Sequence, residues 1–385
     1  MPRTITLSVL PVGEPDTIRA LLDRFEAQTG IHVNTHWVNW ENYRRDTVNI
    51  ALKRHHVDVS MVGMPVTSDL EGMNVLRPFS AQEIASMGGA GAFLPARWQS
   101  GIRPDSPQVW AIPWCLDVRV LAYWRDMLDQ AGIAEEGAFA SSERIEAALR
   151  QLQECGHDFP FYIPTFFQLL HAASSWIWEQ GGDLFAPGGR RAIFHEAEAL
   201  RGLTAFFRLA RYSSPEAHAN DQSNLFLERK VAVAVSTPVI LQAEQDPRLG
   251  AVALPGGSYV GGVDLVIWAQ TVDEQASLEL VRFLTQPGLL VRPHPYSTYL
   301  SPRLAELTNP ANWTTALGRA LANAALHGRA YPCVAMVGLV EERLSMTLEQ
   351  VLKDLYTNPD APVEETVRAR MEPLAKRINL ALSQE

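Results

Sequence analysis

Phe25 to Phe79 reads FEAQTGIHVNTHWVNWENYRRDTVNIALKRHHVDVSMVGMPVTSDLEGMNVLRPF. A helix closing at Thr29-Gly30 delivers a short extended run, Ile31, Val33, Thr35 and Trp37, with apolar side chains two apart. A second amphipathic segment follows, then a second apolar run through Val57, Val59, Met61 and Val62. Upstream, Ile5 to Leu10 reads as one more strand, and Pro11-Val12-Gly13-Glu14-Pro15 as a turn into a helix capped by Asp16, with Ile18, Leu21, Leu22 and Phe25 on its buried face. The order is β-α-β-α-β, which predicts a parallel sheet whose loops gather at the carboxyl ends of the strands. Glu14, the pair Trp40-Glu41 and Met64 each fall at one of those loops.

At 385 residues the chain is too long for one ordinary core and suits two domains. Hydrophobic residues make up 47% and charged residues 20%, a globular balance with no low-complexity tract. The net charge of −10 and the absence of a Lys/Arg cluster argue against a nucleic-acid partner. No run of about 18 apolar residues exists to span a membrane. The opening MPRTITLSVLPVGEP enters a strand without a charged n-region, a long h-region or a small-residue cleavage site. That suits a mature form with a start Met added, or a protein that stays in the cytoplasm. Cys115, Cys155 and Cys333 form no CxxC pair and have no His at metal-ligand spacing, so they read as free, mostly buried thiols, with one disulfide as the alternative.

The middle of the chain carries five phrases. Val109 to Ile133, VWAIPWCLDVRVLAYWRDMLDQAGI, has an aromatic then Ile-Pro, Asp117, a hydrophobic strand, and a helix ending in Ala-Gly-Ile. Pro113 ends strand pairing and suits a chain leaving one domain for another. Phe161 to Phe185, FYIPTFFQLLHAASSWIWEQGGDLF, reads as a strand, a helix starting at Pro164-Thr165, and a stop at Gly181-Gly182-Asp183. Phe226 to Leu241 gives a strand running into Ser236-Thr237-Pro238 at a helix start. Gly250 to Gln270 brackets a loop with Leu254-Pro255-Gly256 and Gly261-Gly262 before a buried strand, and Tyr299-Leu300-Ser301-Pro302-Arg303 follows. Long helices are predicted at 338–355 and 363–382.

In order and spacing, these phrases and the opening stretch resemble the extracellular solute-binding proteins of ABC importers, family 1, in the sugar-binding branch that includes maltose-binding protein. The ordered set carries the resemblance; no phrase alone does. It implies a two-domain type II periplasmic-binding fold, two doubly wound α/β lobes joined by a hinge with a ligand cleft between them. The expected lobes are 1–112 plus 263–312, and 113–262 plus 313–385. The resemblance further implies a monomer that closes on a carbohydrate and delivers it to permease subunits. It implies a periplasmic or extracellular location, with a signal or lipid anchor in the native precursor, and neither cofactor nor catalysis.

Sugars are recognised by aromatic faces and by planar carboxylates, amides or guanidinium groups that bind adjacent hydroxyls. At strand ends this chain offers Glu14, Trp40, Glu41, Met64, Trp114 and Asp117, the last matching a position where the family often places a ligand-contacting Asp. Phe167, Gln168 and His171 begin the helix expected to line the second lobe's side. Ser236 and Thr237 stand at a helix start where N–H groups point outward. Gly262 would allow close ligand approach, and Asp264 would bond hydroxyls or brace the hinge. Many sugar-binding relatives have Gly-Pro-Trp where this chain has Thr237-Pro238-Val239, so a stacking ring must come from elsewhere, with Tyr296, Tyr299, Trp313 and Tyr331 as candidates. Trp124 and Trp268 read as core, as does at least one of Trp176 and Trp178.

Rival readings are a non-sugar ligand (a glycerol phosphate, a polyamine or a sugar acid), a carbohydrate-active enzyme, and a cytoplasmic sensor. The enzyme would need two of Glu14, Glu41 and Asp117 about 5–10 Å apart across a glycosidic bond. No P-loop, nucleophile elbow or HExxH motif is present, and His195-Glu196 lacks the second His.

Overall fold

The structure, a computed structural model, describes residues 3–12, 15–53, 56–103, 108–219, 223–290, 299–334 and 336–383. Its strands are β1 (Thr4–Val9), β2 (His32–Trp37), β3 (Val59–Gly63), β4 (Leu76–Arg77), β5 (Ala111–Val118), β6 (Val120–Trp124), β7 (Phe161–Tyr162), β8 (Val233–Ser236), β9 (Leu249–Ala253) and β10 (Val260–Trp268). The chain divides into two compact units. Unit 1 is Met1–Asp117, Val260–Trp313 and Ala330–Gly338, and unit 2 is Val118–Tyr259, Thr314–Arg329 and Leu339–Glu385. The passages out of and back into unit 1 thus fall at 117/118 and 259/260, where 112/113 and 262/263 were expected, and 330–338 belongs to unit 1.

Unit 1 holds a mixed sheet in the order β2-β1-β3-β10-β4, with β5 on β10. β1 pairs parallel with β2 and with β3, while β10 runs antiparallel to β3 and β4. The helix Pro15–Thr29 between β1 and β2 starts on a proline, carries Asp16 in its first turn and buries Ile18, Leu21, Leu22 and Phe25. They fall at i, i+3, i+4 and i+7, which lays one apolar stripe along the helix. Gly30, at φ 70°, ends the helix in the left-handed region that a residue with a Cβ avoids. All five residues of β3 are buried, as a strand covered on both faces requires. Trp268 on β10 is 1% exposed, and its indole N–H donates to Ser60 Oγ at 2.7 Å, so the ring enters the core with its polar atom paired.

Pro113 was expected to end pairing, yet β5 continues through it to Val118. Among the described residues β5 pairs with β10 and, at Leu116 alone, with Leu300, so its ladder leaves room for a residue without an N–H.

Unit 2 holds the sheet β7-β8-β6-β9, in which β7 and β8 are parallel and β6 is antiparallel to β8 and β9. The helix Phe166–Glu179 buries every residue from Leu169 to Trp178, both tryptophans included, and is therefore a central element. Trp124 is 2% exposed and donates its indole N–H to the Phe226 carbonyl at 2.8 Å. The two long helices run Val337–Thr357 and Val363–Leu382. All three cysteines are free thiols, Cys115 and Cys333 buried and Cys155 exposed, so the disulfide alternative falls away.

Candidate ligand-binding surfaces of the two units

Parallel pairing of β1, β2 and β3 brings the residues that follow them to one edge of the unit 1 sheet. Trp40 opens a short 3-10 turn, Trp40–Asn42, after β2. Its indole N–H donates to the Pro11 carbonyl after β1 at 3.1 Å, and its ring meets Tyr43 edge-on at 5.4 Å. The Tyr43 ring in turn lies 3.0 Å from where Gly63 would carry a Cβ, at the end of β3. One aromatic ledge thus ties the three strand ends together, and Trp40 is its half-buried member. Glu41 lies in the same turn, with its side chain outside the described atoms. Glu14 and Tyr296 lie outside the described residues. Met64 follows β3 as the first residue of helix Met64–Gly72 and is 1% exposed.

β10 starts at this same edge, since Val263 pairs with Gly63. Here Gly262 and Asp264 both serve internal packing, the latter in line with the bracing alternative. Gly262 has φ 136°, and a Cβ on it would stand 2.0 Å from the Cys115 carbonyl oxygen, so the missing side chain makes room for β5 backbone and not for a ligand. Asp264 is 1% exposed; one carboxylate oxygen accepts from the fully buried Arg97 guanidinium at 2.5 Å and the other from Thr67 Oγ at 3.2 Å. Burial pushes the Asp264 carboxyl up, against the pull of Arg97 and Thr67. Asp264 is therefore an internal brace across β10, helix Met64–Gly72 and helix Pro95–Ser100. Trp114 is 2% exposed on β5, and its indole N–H is buried without a hydrogen-bond partner among the described residues. Asp117, the last residue of unit 1 before the chain leaves it, is half-buried.

In unit 2 the parallel pair β7 and β8 places two junctions side by side, the start of helix Phe166–Glu179 after β7 and Ser236-Thr237 after β8. Phe167 is half-buried, Gln168 exposed, and Ser236 and Thr237 half-buried. Thr237 Oγ accepts from the Val239 N–H at 3.2 Å and caps a six-residue 3-10 helix, Pro238–Ala243. Phe166, which the sequence reading passed over, is 39% exposed at φ 54°, and its ring meets Phe167 edge-on at 4.3 Å. Spacing of three, four and seven from Leu169, Leu170 and Ala173 would bury it, but the left-handed backbone turns it outward. Its N–H donates to a Glu349 carboxylate oxygen at 2.5 Å, and that carboxylate also bonds His218 at 2.8 Å. Of the other stacking candidates, Tyr299 is half-buried, whereas Trp313 and Tyr331 are 7% and 1% exposed.

His171 is likewise a correction. Arg119 donates to its Nδ1 at 2.9 Å, its Nε2 lies 2.8 Å from Glu341, and its face stacks on Tyr259 at 3.9 Å. Because a guanidinium only donates, Nδ1 accepts, and the single ring proton sits on Nε2 facing the carboxylate. Both ring nitrogens are engaged in the core, which leaves none for a ligand.

The glycine phrases are accounted for by packing. A Cβ on Gly256, in Leu254-Pro255-Gly256, would stand 2.2 Å from the Glu179 backbone nitrogen, so only glycine lets this loop lie on the end of helix Phe166–Glu179. Asp183, after Gly181-Gly182, accepts from the Trp178 indole at 3.2 Å and from Arg329 at 2.9 Å. Among the described residues no group of three His, Cys, Asp or Glu could hold a metal ion, and no helix is long and apolar enough to cross a membrane.

Residues 12–289 match the family model for bacterial extracellular solute-binding protein. Among solved structures, the sugar-binding protein MalE from the phytopathogen Xanthomonas citri aligns at 19% identity and a TM-score of 0.81, covering 99% of this chain and 98% of its own. Maltose-bound MalE3 of T. maritima aligns at 19% and 0.81, over 98% and 99%. UgpB from Mycobacterium tuberculosis, in complex with glycerophosphocholine, aligns at 16% and 0.81, over 99% of each chain. No curated protein matches by sequence. The solved structures share the fold, α/β in two lobes, along nearly the whole length, and the family match takes in more than half of the 385 residues. The chain belongs to the bacterial extracellular solute-binding proteins.

Proposed function

We propose that the protein is the substrate-binding component of an ABC importer, that it binds a carbohydrate without transforming it, and that it hands the sugar to permease subunits. The protein closes on its ligand, because only the closed state offers the full set of contacts. The unit 1 contribution is the face of Trp40, with Glu41, Glu14 and Asp117 for hydroxyl groups. Unit 2 supplies Phe167 with Phe166 beside it, and Gln168, Ser236 and Thr237. The observation that carries this reading is the gathering, on each unit's carboxyl edge, of a part-exposed aromatic ring beside small polar groups, the combination a pyranose asks for. Phe166 and Phe167 stand in for the stacking ring that Val239 cannot provide. Solved neighbours whose ligands are maltose, α-D-tagatose and D-mannitol support the same class. The protein works as a monomer in the periplasm or outside the cell.

The test is thermal unfolding against mono- and oligosaccharides, with polyamines and glycerol phosphate esters as competitors. A ligand at 100 times its dissociation constant adds about 2.7 kcal/mol. With an unfolding entropy of about 0.8 kcal/mol/K for a chain this long, the midpoint should rise by about 3 °C. A rise with one sugar class, recovered unchanged, is the expected result. A rise with a phosphate ester alone would overturn the carbohydrate assignment, and consumption of the sugar would overturn binding without chemistry.

A further inference from the structure

The chain passes between its units at 117/118, 259/260, 313/314, 329/330 and 338/339. Four of these passages have their unit 2 residues joined in one small network. The Arg119 N–H donates to the Tyr259 carbonyl at 2.9 Å, and the Arg329 N–H to the Ser258 carbonyl at 2.8 Å. Side chains close the rest: Arg119 to His171 Nδ1 at 2.9 Å, His171 Nε2 to Glu341 at 2.8 Å, and the His171 ring on the Tyr259 ring at 3.9 Å. All four side chains are buried, with exposures of 3% for Arg119, 8% for His171, 2% for Tyr259 and 4% for Glu341. His171 belongs to helix Phe166–Glu179, whose first turn carries Phe167 and Gln168.

We propose that His171 is the positioning residue of the hinge, clamping these passages to the helix that begins the unit 2 ligand surface. This rests on the reading of the chain as a protein that closes on a solute. The clamp works only with a neutral ring. Arg119, Glu341 and the Tyr259 ring face it, and a second ring proton would sit on Nδ1, donor against the Arg119 donor. Gaining that proton therefore breaks the Arg119 bond and frees the first passage. Burial, and then the Arg119 charge, hold the His171 pKa well below its ordinary 6.5, so the clamp is closed at neutral pH and opens in acid.

His171→Gln and His171→Leu separate this role from mere filling of space. A glutamine amide can accept from Arg119 and donate to Glu341 but cannot gain a proton; leucine does none of these. Amide exchange is measured without ligand at 118–120, 258–260 and 329, corrected for intrinsic rates, from pH 7.5 down to the lowest pH at which the protein stays folded. The expected result is at least tenfold faster exchange at Arg119 in His171→Leu, with helix Ala197–Phe207 unchanged, and less than threefold in His171→Gln. Wild-type protection at Arg119 should fall as the pH is lowered into acid while that of His171→Gln stays flat. Equal protection in the leucine variant, or equal pH profiles in wild type and glutamine variant, would overturn the proposal. If the leucine variant does not fold, the pH comparison decides alone. Maltose is the binding probe, and His171→Leu should weaken it at least tenfold; unaltered maltose affinity together with faster exchange would overturn the coupling to the ligand surface. Failure of the wild type to bind any sugar would count against the carbohydrate reading and leave the exchange result to judge the clamp.

Discussion

Asp264→Ala should be the most damaging carboxylate substitution in unit 1, and its cost can be worked out. The pair it breaks is wholly internal, with side-chain exposures of 0% for Arg97 and 1% for Asp264. The remaining bond of the Arg97 fork to a side chain is to Ser100 Oγ at 2.8 Å, which carries no charge. Removing one partner of a buried ion pair costs about 3–5 kcal/mol, because the other charge stays desolvated. Thr67 loses its acceptor as well, worth about 1 kcal/mol. The pair need not be a net stabiliser for this to hold. Asp264 has its folded-state pKa above the ordinary 3.8, so its contribution is fully present below pH 3.8 and lost as pH rises through the folded value. At pH 7 the ionised pair is thus a burden relative to an apolar one. Urea unfolding at pH 7, followed by tryptophan fluorescence, should show Asp264→Ala losing about 4 kcal/mol and Arg97→Met/Asp264→Leu within about 1 kcal/mol of wild type or above it. A loss below about 1 kcal/mol in the single variant, or equal losses in single and double variants, would refute the reasoning.

Gly262→Ala forces a Cβ to within 2.0 Å of the Cys115 carbonyl oxygen at φ 136°, so urea unfolding should show a loss of at least about 2 kcal/mol. Trp40→Phe keeps the ring face but drops the N–H that reaches the Pro11 carbonyl, costing about 1 kcal/mol of stability with little change in sugar affinity, whereas Trp40→Ala should weaken that affinity about tenfold by calorimetry. An aromatic thiol reagent should titrate Cys155 at once in the native protein. Cys115 and Cys333 should react only in denaturant, since both are buried, with burial pushing Cys333 up to about 12 and Cys115 further. The Glu83 carboxyl, hydrogen-bonded to Arg77 and to the Ser80 N–H of its capping box, is lowered to about 2. Its contribution is therefore present above pH 4.5 and lost as pH falls toward 2, and Glu83→Gln should flatten that part of an acid-unfolding profile.

The strand and helix order of unit 1 could be read because each signal was local. Ile18, Leu21, Leu22 and Phe25 share one face at helical spacing, and Gly30 stops the helix that they define. The passages between units were placed less well, since the cue used was Pro113, and a proline does not end a strand that pairs with a single named strand. Among the site residues, Trp40 could be placed at a strand end from order alone. Gly262, Asp264 and His171 could not be resolved, because their roles depend on partners far away in sequence, namely Cys115, Arg97, Arg119 and Glu341. A buried Asp or His reads the same in a sequence whether it faces a ligand or an arginine. Phe166 was passed over for the opposite reason: helical spacing places it with Leu169 and Leu170, and one left-handed residue overrides that period.

Isothermal titration of the purified protein with the carbohydrate panel, followed by mass analysis of the recovered ligand, bears most directly on the central claim. The account predicts one sugar bound per chain and returned intact. Binding confined to a phosphate ester or a polyamine, or a sugar returned cleaved, would contradict it.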